Sequence, residues 1–354
     1  MMTRILSGDF PRSRLLTALL LAVFAGLALA PFLFPGARAI NVAATICVFV
    51  VLAASYDLLL GYTGIVSFAH TMFYGIGAYG VGLSLHGVGP TWSAVLMGLT
   101  IALGLSLGLA LVIGLFSLRV KAIFYAMITL AVASAFAVLA SQLSDLTGGE
   151  DGRSFGVPEA LRPGFRLVEA EIFGTAINGK LLTYYLVFFG ALSLFLFLLR
   201  VVNSPFGRVL QAIRENDFRA EALGYRTVVY RTLANCLSAA TATLAGALMA
   251  LWLRYAGPQT TLSFTIMMDI LLIVVIGGMG TLYGAAVGAA LFILAQNYLQ
   301  ALMRQASEGL TAVPLLANLL HPDRWLLWLG VLFVLSVYFF PTGIVGKLRS
   351  LKRE

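Results

Sequence analysis

The stretch RVVNSPFGRVLQAIRENDFRAEALGYRTVVYR, residues 200–231, is the most polar part of a chain that is 60% hydrophobic and only 11% charged. It carries six arginines and three acids, and long apolar runs flank it on both sides. Apolar runs of about 20 residues span a bilayer as helices. The stretch between them must therefore lie in water at one membrane face.

Two short amphipathic helices are predicted inside this stretch. Ser204 is a suitable N-cap, and Pro205 suits the first helical turn, where its missing N–H would be unpaired anyway. Phe206 begins an apolar face with i, i+3, i+4 and i+7 spacing. Gly224 can end a second helix over 217–223 in the left-handed conformation. Helices outside the bilayer are typical of a docking surface for another protein; the alternative is an ordinary cytoplasmic loop that is basic because of membrane orientation.

Composition excludes a soluble globular protein. Soluble domains average about 25% charged residues, and this chain of 354 residues has less than half that share, with a mean hydropathy of +0.96. We predict an all-α polytopic membrane protein with a single transmembrane domain over 1–354. Its ten predicted spans are 15–34, 40–60, 71–88, 92–116, 121–143, 183–201, 231–254, 262–282, 284–303 and 324–341.

Basic residues predict the orientation of these spans. Run 15–34 follows three arginines as a signal peptide would, but it is long enough to span a bilayer, and we expect it to be retained. With that span counted, the 23 Lys and Arg divide 15 to 8 between the two faces. The richer face is predicted to be cytoplasmic and to carry both termini.

This orientation divides the predicted domain into five parts. They are N-terminal helices (15–143), a periplasmic loop (144–182), one helix (183–201), a cytoplasmic segment (202–230) and C-terminal helices (231–341). The long loop either contacts an external partner, covers a pathway or is a passive surface.

Motifs for catalysis and for metal or nucleotide binding are absent from the sequence. No GxxxxGK[ST] or HExxH occurs. Cys47 and Cys236 lie in apolar runs, as buried thiols do, and His70, His86 and His321 do not have the spacing of metal ligands. The net charge of +8 is dispersed between apolar runs. We therefore expect no metal, no cofactor and no nucleic-acid partner.

Two places near or within the membrane carry polar residues. In GYTGIVSFAHTMFYGIGAYG, residues 61–80, Ser67 and His70 interrupt an apolar pattern. They either face a translocation pathway or form a helix–helix turn with a structural histidine. Asp269 lies inside the predicted span 262–282, where an acid indicates a functional site by default; the alternative places it at the outer interface.

Glycines mark expected helix contacts. Gly75 lies in a glycine-rich third span, and Gly280, Gly284 and Gly288 are spaced by four, so they are predicted to line one face of a helix. Small residues at this spacing let helix backbones approach closely in membranes. The pattern is common in helical membrane proteins and does not identify a function.

Three motifs together resemble the LivM-type permease subunits of ABC importers for branched-chain amino acids. They are GYTGIVSFAHTMFYGIGAY (61–79), SPFGRVLQAIRENDFRAEALGY (204–225) and GGMGTLYGAAVGAA (277–290). The resemblance implies the type II ABC importer permease fold in a bacterial inner membrane. It also implies that ATP is hydrolysed on a separate subunit, so that this chain is not itself an enzyme.

The resemblance further implies a set of partners. Residues 204–224 would hold coupling helices that seat on an ATPase, with Gly224 ending the second helix. The implied ATPase contacts are Arg208, Arg214, Glu215, Asn216, Arg219 and Glu221. A second, LivH-like permease subunit would complete the pore, two cytoplasmic ABC ATPase subunits would supply energy, and a periplasmic binding protein would deliver substrate. Membrane lipid would surround the spans.

Three other functions stay open at the level of sequence. Similar permeases serve urea and short-chain amides. An ion-coupled secondary transporter would use intramembrane acids, for which Asp269 is a candidate and Asp57 lies near a span end. The third is a membrane scaffold that transports nothing.

Overall fold

A computed structural model describes residues 14–34, 36–117, 122–172, 175–309, 321–340 and 342–350. Ten long helices run through these ranges. They are α1 (Arg14–Leu33), α2 (Ala37–Thr63), α3 (His70–Val88), α4 (Trp92–Ser117), α5 (Ala122–Gln142), α7 (Gly179–Val202), α10 (Thr227–Leu253), α12 (Phe264–Gly277), α13 (Leu282–Gly309) and α14 (Trp325–Phe339). Five shorter helices lie between or after them: α6 (Ser144–Thr147), α8 (Pro205–Glu215), α9 (Asp217–Ala222), α11 (Pro258–Thr261) and α15 (Gly343–Ser350).

The ten predicted spans each correspond to one long helix, so the prediction of an all-α polytopic membrane protein is confirmed. Within the described residues, nine segments are long and apolar enough to cross a membrane. Helix α3 is the long helix outside that set, because its glycines and polar residues lower its hydropathy. The eighth span is shorter than predicted: α12 ends at Gly277, and α11 precedes it.

The centre of the bundle is formed by α2, α3 and α10. Most residues of these helices are buried. Their backbones touch: a Cβ added to Gly77 would overlap the Thr243 carbonyl oxygen, and one added to Gly246 would overlap the Tyr74 carbonyl oxygen. In membranes, where lipid is as apolar as the protein interior, such close backbone packing holds helices together.

At one end of the bundle, which we call the polar end, lie the connections 64–69, 203–226 and 278–281 and the helix α15. Contacts bring these connections together. The Arg214 guanidinium donates to the Gly61 carbonyl, and the Gly280 N–H donates to Asp57 Oδ1 over 2.8 Å. A Cβ at Gly343 would overlap Gly278.

The opposite end, which we call the strand end, contains 89–91, 143–172, 175–178 and 254–263. Strand β1 (Arg153–Ser154) pairs antiparallel with β4 (Tyr255–Ala256). The hydroxyl of Tyr255 also donates to the Asp151 carbonyl over 2.7 Å. These contacts fix the long connection to the end of α10.

The long connection is not a plain loop. It contains strands β2 (Arg166–Ile172) and β3 (Thr175–Asn178), which pair antiparallel. Helix α7 begins at Gly179, four residues before the predicted span, because Asn178 caps it by accepting the Leu181 N–H over 3.1 Å. The orientation prediction also used Arg4, Arg12, Arg119, Lys121, Lys352 and Arg353, which lie outside the described residues.

Candidate coupling surface and polar junction

Two short helices occupy the polar stretch, as predicted. Helix α8 starts at Pro205 and α9 ends at Ala222, with Gly224 in the left-handed region at φ +92°. The capping differs from expectation in one respect. The Ser204 hydroxyl donates back to the Val201 carbonyl over 2.6 Å and caps nothing with its side chain. The side-chain cap in this stretch is Asn216, whose Oδ1 accepts the Arg219 N–H of α9 over 2.9 Å.

The apolar face of α8 is seated on the bundle. Leu210 and Ile213 are fully buried, and Phe206 stacks on Tyr230 of α10 with ring centroids 5.8 Å apart. A Cβ at Gly207 would overlap the Val202 carbonyl, so the helix starts in direct contact with the end of α7. This packing makes α8 part of the folded body of the protein.

The segment that contains α8 and α9 exposes both charged side chains and large apolar side chains. Arg208, Glu215 and Arg219 are exposed, and within the described residues their side chains make no hydrogen bond or ion pair. The same segment exposes two large apolar side chains, Phe218, 83% exposed, and Leu223, 73% exposed. We call these five residues the coupling surface. Exposed large apolar side chains in the same short segment as charges without a partner in the described residues indicate a protein-binding surface.

Other charges of the stretch are used internally. Asp217 and Arg231 form an ion pair of 2.9 Å, and the Thr227 hydroxyl donates to Glu221 Oε1 over 2.7 Å. Both contacts tie α9 to the start of α10. Glu221, expected as a partner contact, therefore has an internal role in this structure, and Asp217 has one that the sequence analysis missed.

A second internal contact joins α8 to the membrane-embedded helices. The Arg214 guanidinium donates to Gly61 near the end of α2, and Asp57, one turn earlier, accepts the Gly280 N–H. A Cβ at Gly61 would overlap both Asp57 Oδ1 and Gly280 N. We call Asp57, Gly61, Arg214 and Gly280 the polar junction. It links α2, α8 and the turn between α12 and α13 through groups that leave no room for a larger side chain.

Asp57 is the functional candidate that sequence reasoning passed over. Its side chain is completely buried, and Oδ2 has no hydrogen-bond partner within the described residues. The signal was present, because an acid in an apolar span indicates a function by default. Asp57 was not taken as a candidate because it lies near the end of a predicted span.

The predicted pathway residues fall in two separate places. His70 is completely buried, with Nε2 2.9 Å from Ser238 Oγ and 3.3 Å from Ser55 Oγ. Ser67 is buried nearby, and its hydroxyl accepts the Ala69 N–H over 3.3 Å. Serines of two central helices therefore contact one nitrogen of the His70 ring, and Nδ1 is buried with no hydrogen-bond partner within the described residues.

Asp269 has different neighbours. It lies in α12, half-buried, and its Oδ2 accepts from the Gln296 side chain of α13 over 3.3 Å. The hydrogen-bond donor for Asp269 therefore comes from α13 and not from its own helix α12. Asp269 and His70 make no hydrogen bond to each other.

The glycines predicted to pack helices are close to backbone or side-chain atoms. A Cβ at Gly75 would overlap Leu262, and one at Gly288 would overlap the Ile273 carbonyl of α12. Gly284 approaches Gly277 in the same helix pair. Gly280 differs from expectation, because it lies before α13 in the turn with φ +79° and does not share the helix face of the other two.

Residues 38–337 match the family described as "Branched-chain amino acid transport system / permease component". This chain belongs to that family. The permease is similar to the LivM protein of Salmonella typhimurium, at 26% identity over 324 residues, which cover 88% of this chain and 70% of the relative. It is 27% identical to LivM of Escherichia coli over the same extent. The LivH protein of Escherichia coli is 23% identical over 304 residues, 84% of this chain and 91% of the relative. No solved structure matches.

Both kinds of relative carry the name of a high-affinity branched-chain amino acid transport system permease protein. The family match covers all ten long helices except α1, the first residue of α2 and the last residues of α14. The coupling surface and the polar junction both lie inside the matched range. This chain is thus a multi-pass permease component of a transport system.

Proposed function

We propose that this permease is the LivM-like subunit of an ABC importer that carries branched-chain amino acids. The observation that carries the proposal is the family match over 38–337, supported by the printed names of the relatives. Nothing in the fold favours urea, short-chain amides or ion coupling over this substrate class. Hydrolysis of ATP belongs to a separate subunit.

The coupling surface is the proposed docking site for that ATPase. Exposed Phe218 and Leu223 supply the apolar centre that a protein interface needs, and Arg208, Glu215 and Arg219 supply its charged rim. Arg214 and Glu221 are assigned internal roles instead of ATPase contacts. Asn216 shapes the surface by starting α9.

The polar junction is the proposed route by which force on α8 reaches the membrane helices. Displacement of α8 carries Arg214, and with it Gly61 and the end of α2. Because Asp57 holds Gly280, the turn between α12 and α13 moves with them. Alternating access in transporters is largely a rigid-body rocking of helix groups, and a rigid contact of this kind transmits such a motion.

The remaining partners follow from the same proposal. A second, LivH-like permease subunit completes the pathway, two ATPase subunits bind the polar end, and a binding protein docks at the strand end. The polar end and both termini are then cytoplasmic, in a bacterial inner membrane, with 1–354 as one domain.

The proposal is tested by reconstitution. The chain is purified from native membranes with its bound partners, and uptake of labelled leucine into liposomes is measured with and without ATP. We expect ATP-dependent uptake that isoleucine and valine compete for and that urea and acetamide do not. Arg219→Glu should abolish uptake with the protein still inserted, whereas Arg304→Gln, exposed on α13, should leave it unchanged. Uptake that survives without ATP and collapses with the ion gradient would contradict the proposal.

A further inference from the structure

A cleft of about 420 Å³ opens at the strand end, well away from the coupling surface. Asn41 near the start of α2, the start of α7 and the end of α10 line it, together with Leu161 and Pro163 of the long connection. Its volume lies in the range of small-molecule sites, roughly 300–1,000 Å³. Leu161, Trp252 and Leu253 form apolar walls.

The charge of this strand-end cleft has one sign. Lys180 and Arg254 both line it, and none of its lining residues is acidic. The Lys180 ammonium lies 5.9 Å from the centroid of the Trp252 ring, a cation–π contact that holds it against the wall. Neither cation forms an ion pair within the described residues. Two positive groups at a partly apolar cleft favour an anionic ligand with an apolar body.

Arg254 occupies a backbone position that arginine rarely takes. Its φ of +56° makes it the one non-glycine residue in the left-handed region among those described. The conformation is fixed from both sides: the Arg254 N–H donates to the Ala250 carbonyl over 2.7 Å, and the Arg254 carbonyl accepts the Phe155 N–H over 3.2 Å. Glycine would adopt this conformation without strain. A non-glycine residue in this conformation is a reason to ask what its side chain does.

We propose that the strand-end cleft binds the carboxylate of a small apolar amino acid, with Arg254 and Lys180 as its cationic ligands. The guanidinium provides the paired N–H donors that match a carboxylate, and the ammonium provides a point charge beside it. Trp252 and Leu253 contact the aliphatic side chain. The choice of an amino acid rests on the proposed function; the preference for a carboxylate rests on the cleft itself.

Matched probes separate the carboxylate from the rest of the ligand. 4-Methylpentanoate is leucine without its amine, and 3-methylbutylamine is leucine without its carboxylate. The full chain is placed in lipid nanodiscs without a binding protein, and each probe is titrated against the fluorescence of Trp252, with Trp252→Phe defining the background. We expect saturable changes with leucine and 4-methylpentanoate and none with 3-methylbutylamine.

Variants then test the two cations. Arg254→Gly removes the guanidinium and suits the left-handed turn, so the fold is kept. We expect it and Lys180→Gln each to raise the Kd for 4-methylpentanoate at least about tenfold, and Arg254→Lys to raise it less. Arg304→Gln, outside the cleft, should bind as the natural protein does. Equal binding of the amine and the carboxylate, or unchanged binding in both cation variants, overturns the inference.

A further arm excludes another source of the carboxylate. If no free carboxylate binds, and a binding protein added to the nanodiscs cross-links to the cleft through its acidic residues, the cleft is a docking surface and the inference is wrong. Failure of the proposed function is separate. If the chain binds carboxylates through its two cations but its assembly imports no amino acid, the cleft proposal is supported and the importer proposal is wrong. If the assembly imports amino acids with ATP but the cleft binds no carboxylate, the importer proposal is supported and the cleft proposal is wrong.

Discussion

Helices α2 and α14 are both strongly apolar, yet one forms the centre of the bundle and the other lies on its outside. Nearly every residue of α2 from Val42 onward is buried, and no residue of α14 is. The helices differ in their small and polar residues: α2 carries Ser55, Asp57 and Gly61, whereas α14 is built almost wholly of large aliphatic and aromatic residues. In a bilayer, lipid and protein interior are equally apolar, so hydrophobicity does not decide which helix is buried.

Helix α3 extends the same lesson. It is the long helix least suited by hydropathy to cross a membrane, and its burial is among the most complete. Its glycines touch α10 and α4 directly, and His70 pairs with serines of α2 and α10. Close approach and polar pairing therefore mark the centre of this permease.

The largest effect is expected where a side chain has no space. Gly77→Ala places a methyl group against the Thr243 backbone carbonyl of α10, and backbone cannot yield without moving a helix. We expect the free energy of unfolding to fall by about 3 kcal/mol, at the upper end of overpacking costs. Steric trapping in bicelles measures it.

Gly104→Ala is the matched control on the outside of the bundle. Gly104 lies in α4, is exposed, and has nothing within 4 Å of an added Cβ. The variant should be neutral or more stable by up to about 1 kcal/mol, because alanine favours the helix. If both variants lose the same free energy of unfolding, the cost of an added methyl group does not depend on whether the glycine is at the centre or on the outside of the bundle.

Much of this fold could be predicted from the sequence because its signals are local. Apolar runs gave the ten helices, and turn residues such as Pro205 and Gly224 gave the ends of α8 and α9. Local spacing failed for Gly280, since regular spacing with Gly284 and Gly288 does not reveal that a turn precedes α13.

Contacts between distant parts of the chain could not be predicted in the same way. Asp57 and Gly280 are 223 residues apart, and Gln296 reaches Asp269 from a different helix. Which acid meets which donor depends on how the helices pack, and one sequence carries little information on that packing. The seven expected coupling residues lie in one segment, 208–224, and only the structure shows which of them make internal contacts.

The second prediction compares the same substitution in α2 and α14. Leu52 is fully buried and Leu326 is 63% exposed. In lipid the transfer part of a Leu→Ala loss is small, so the lost packing and the cavity dominate. We expect Leu52→Ala to cost about 2 kcal/mol, at the low end of core truncations, and Leu326→Ala to cost less than about 0.5 kcal/mol. A larger loss at Leu326 would mean that α14 contacts another chain in the sample.

The third prediction concerns the polar junction. Asp57→Ala removes the acceptor of the Gly280 N–H without adding bulk and leaves that donor unpaired in the interior. We expect a loss of about 1.5 kcal/mol, together with loss of ATP-driven uptake. Asp57→Asn keeps an acceptor oxygen and should retain most of the stability. If Asp57→Ala transports normally, the junction does not carry force from α8.

The smallest change in the free energy of unfolding is expected for an ion pair that is partly exposed to water. Asp217 and Arg231 pair at 2.9 Å, with side chains 45% and 19% exposed. Partly exposed ion pairs contribute up to about 1 kcal/mol and are screened by salt, so Asp217→Asn should cost about 0.5 kcal/mol at low ionic strength and less in 1 M salt. A double-mutant cycle with Arg231→Gln isolates the pair. Coupling as large as the Asp57 effect, and insensitive to salt, would mean that α9 is shielded from water as the centre of the bundle is, and the contrast between the two regions would fail.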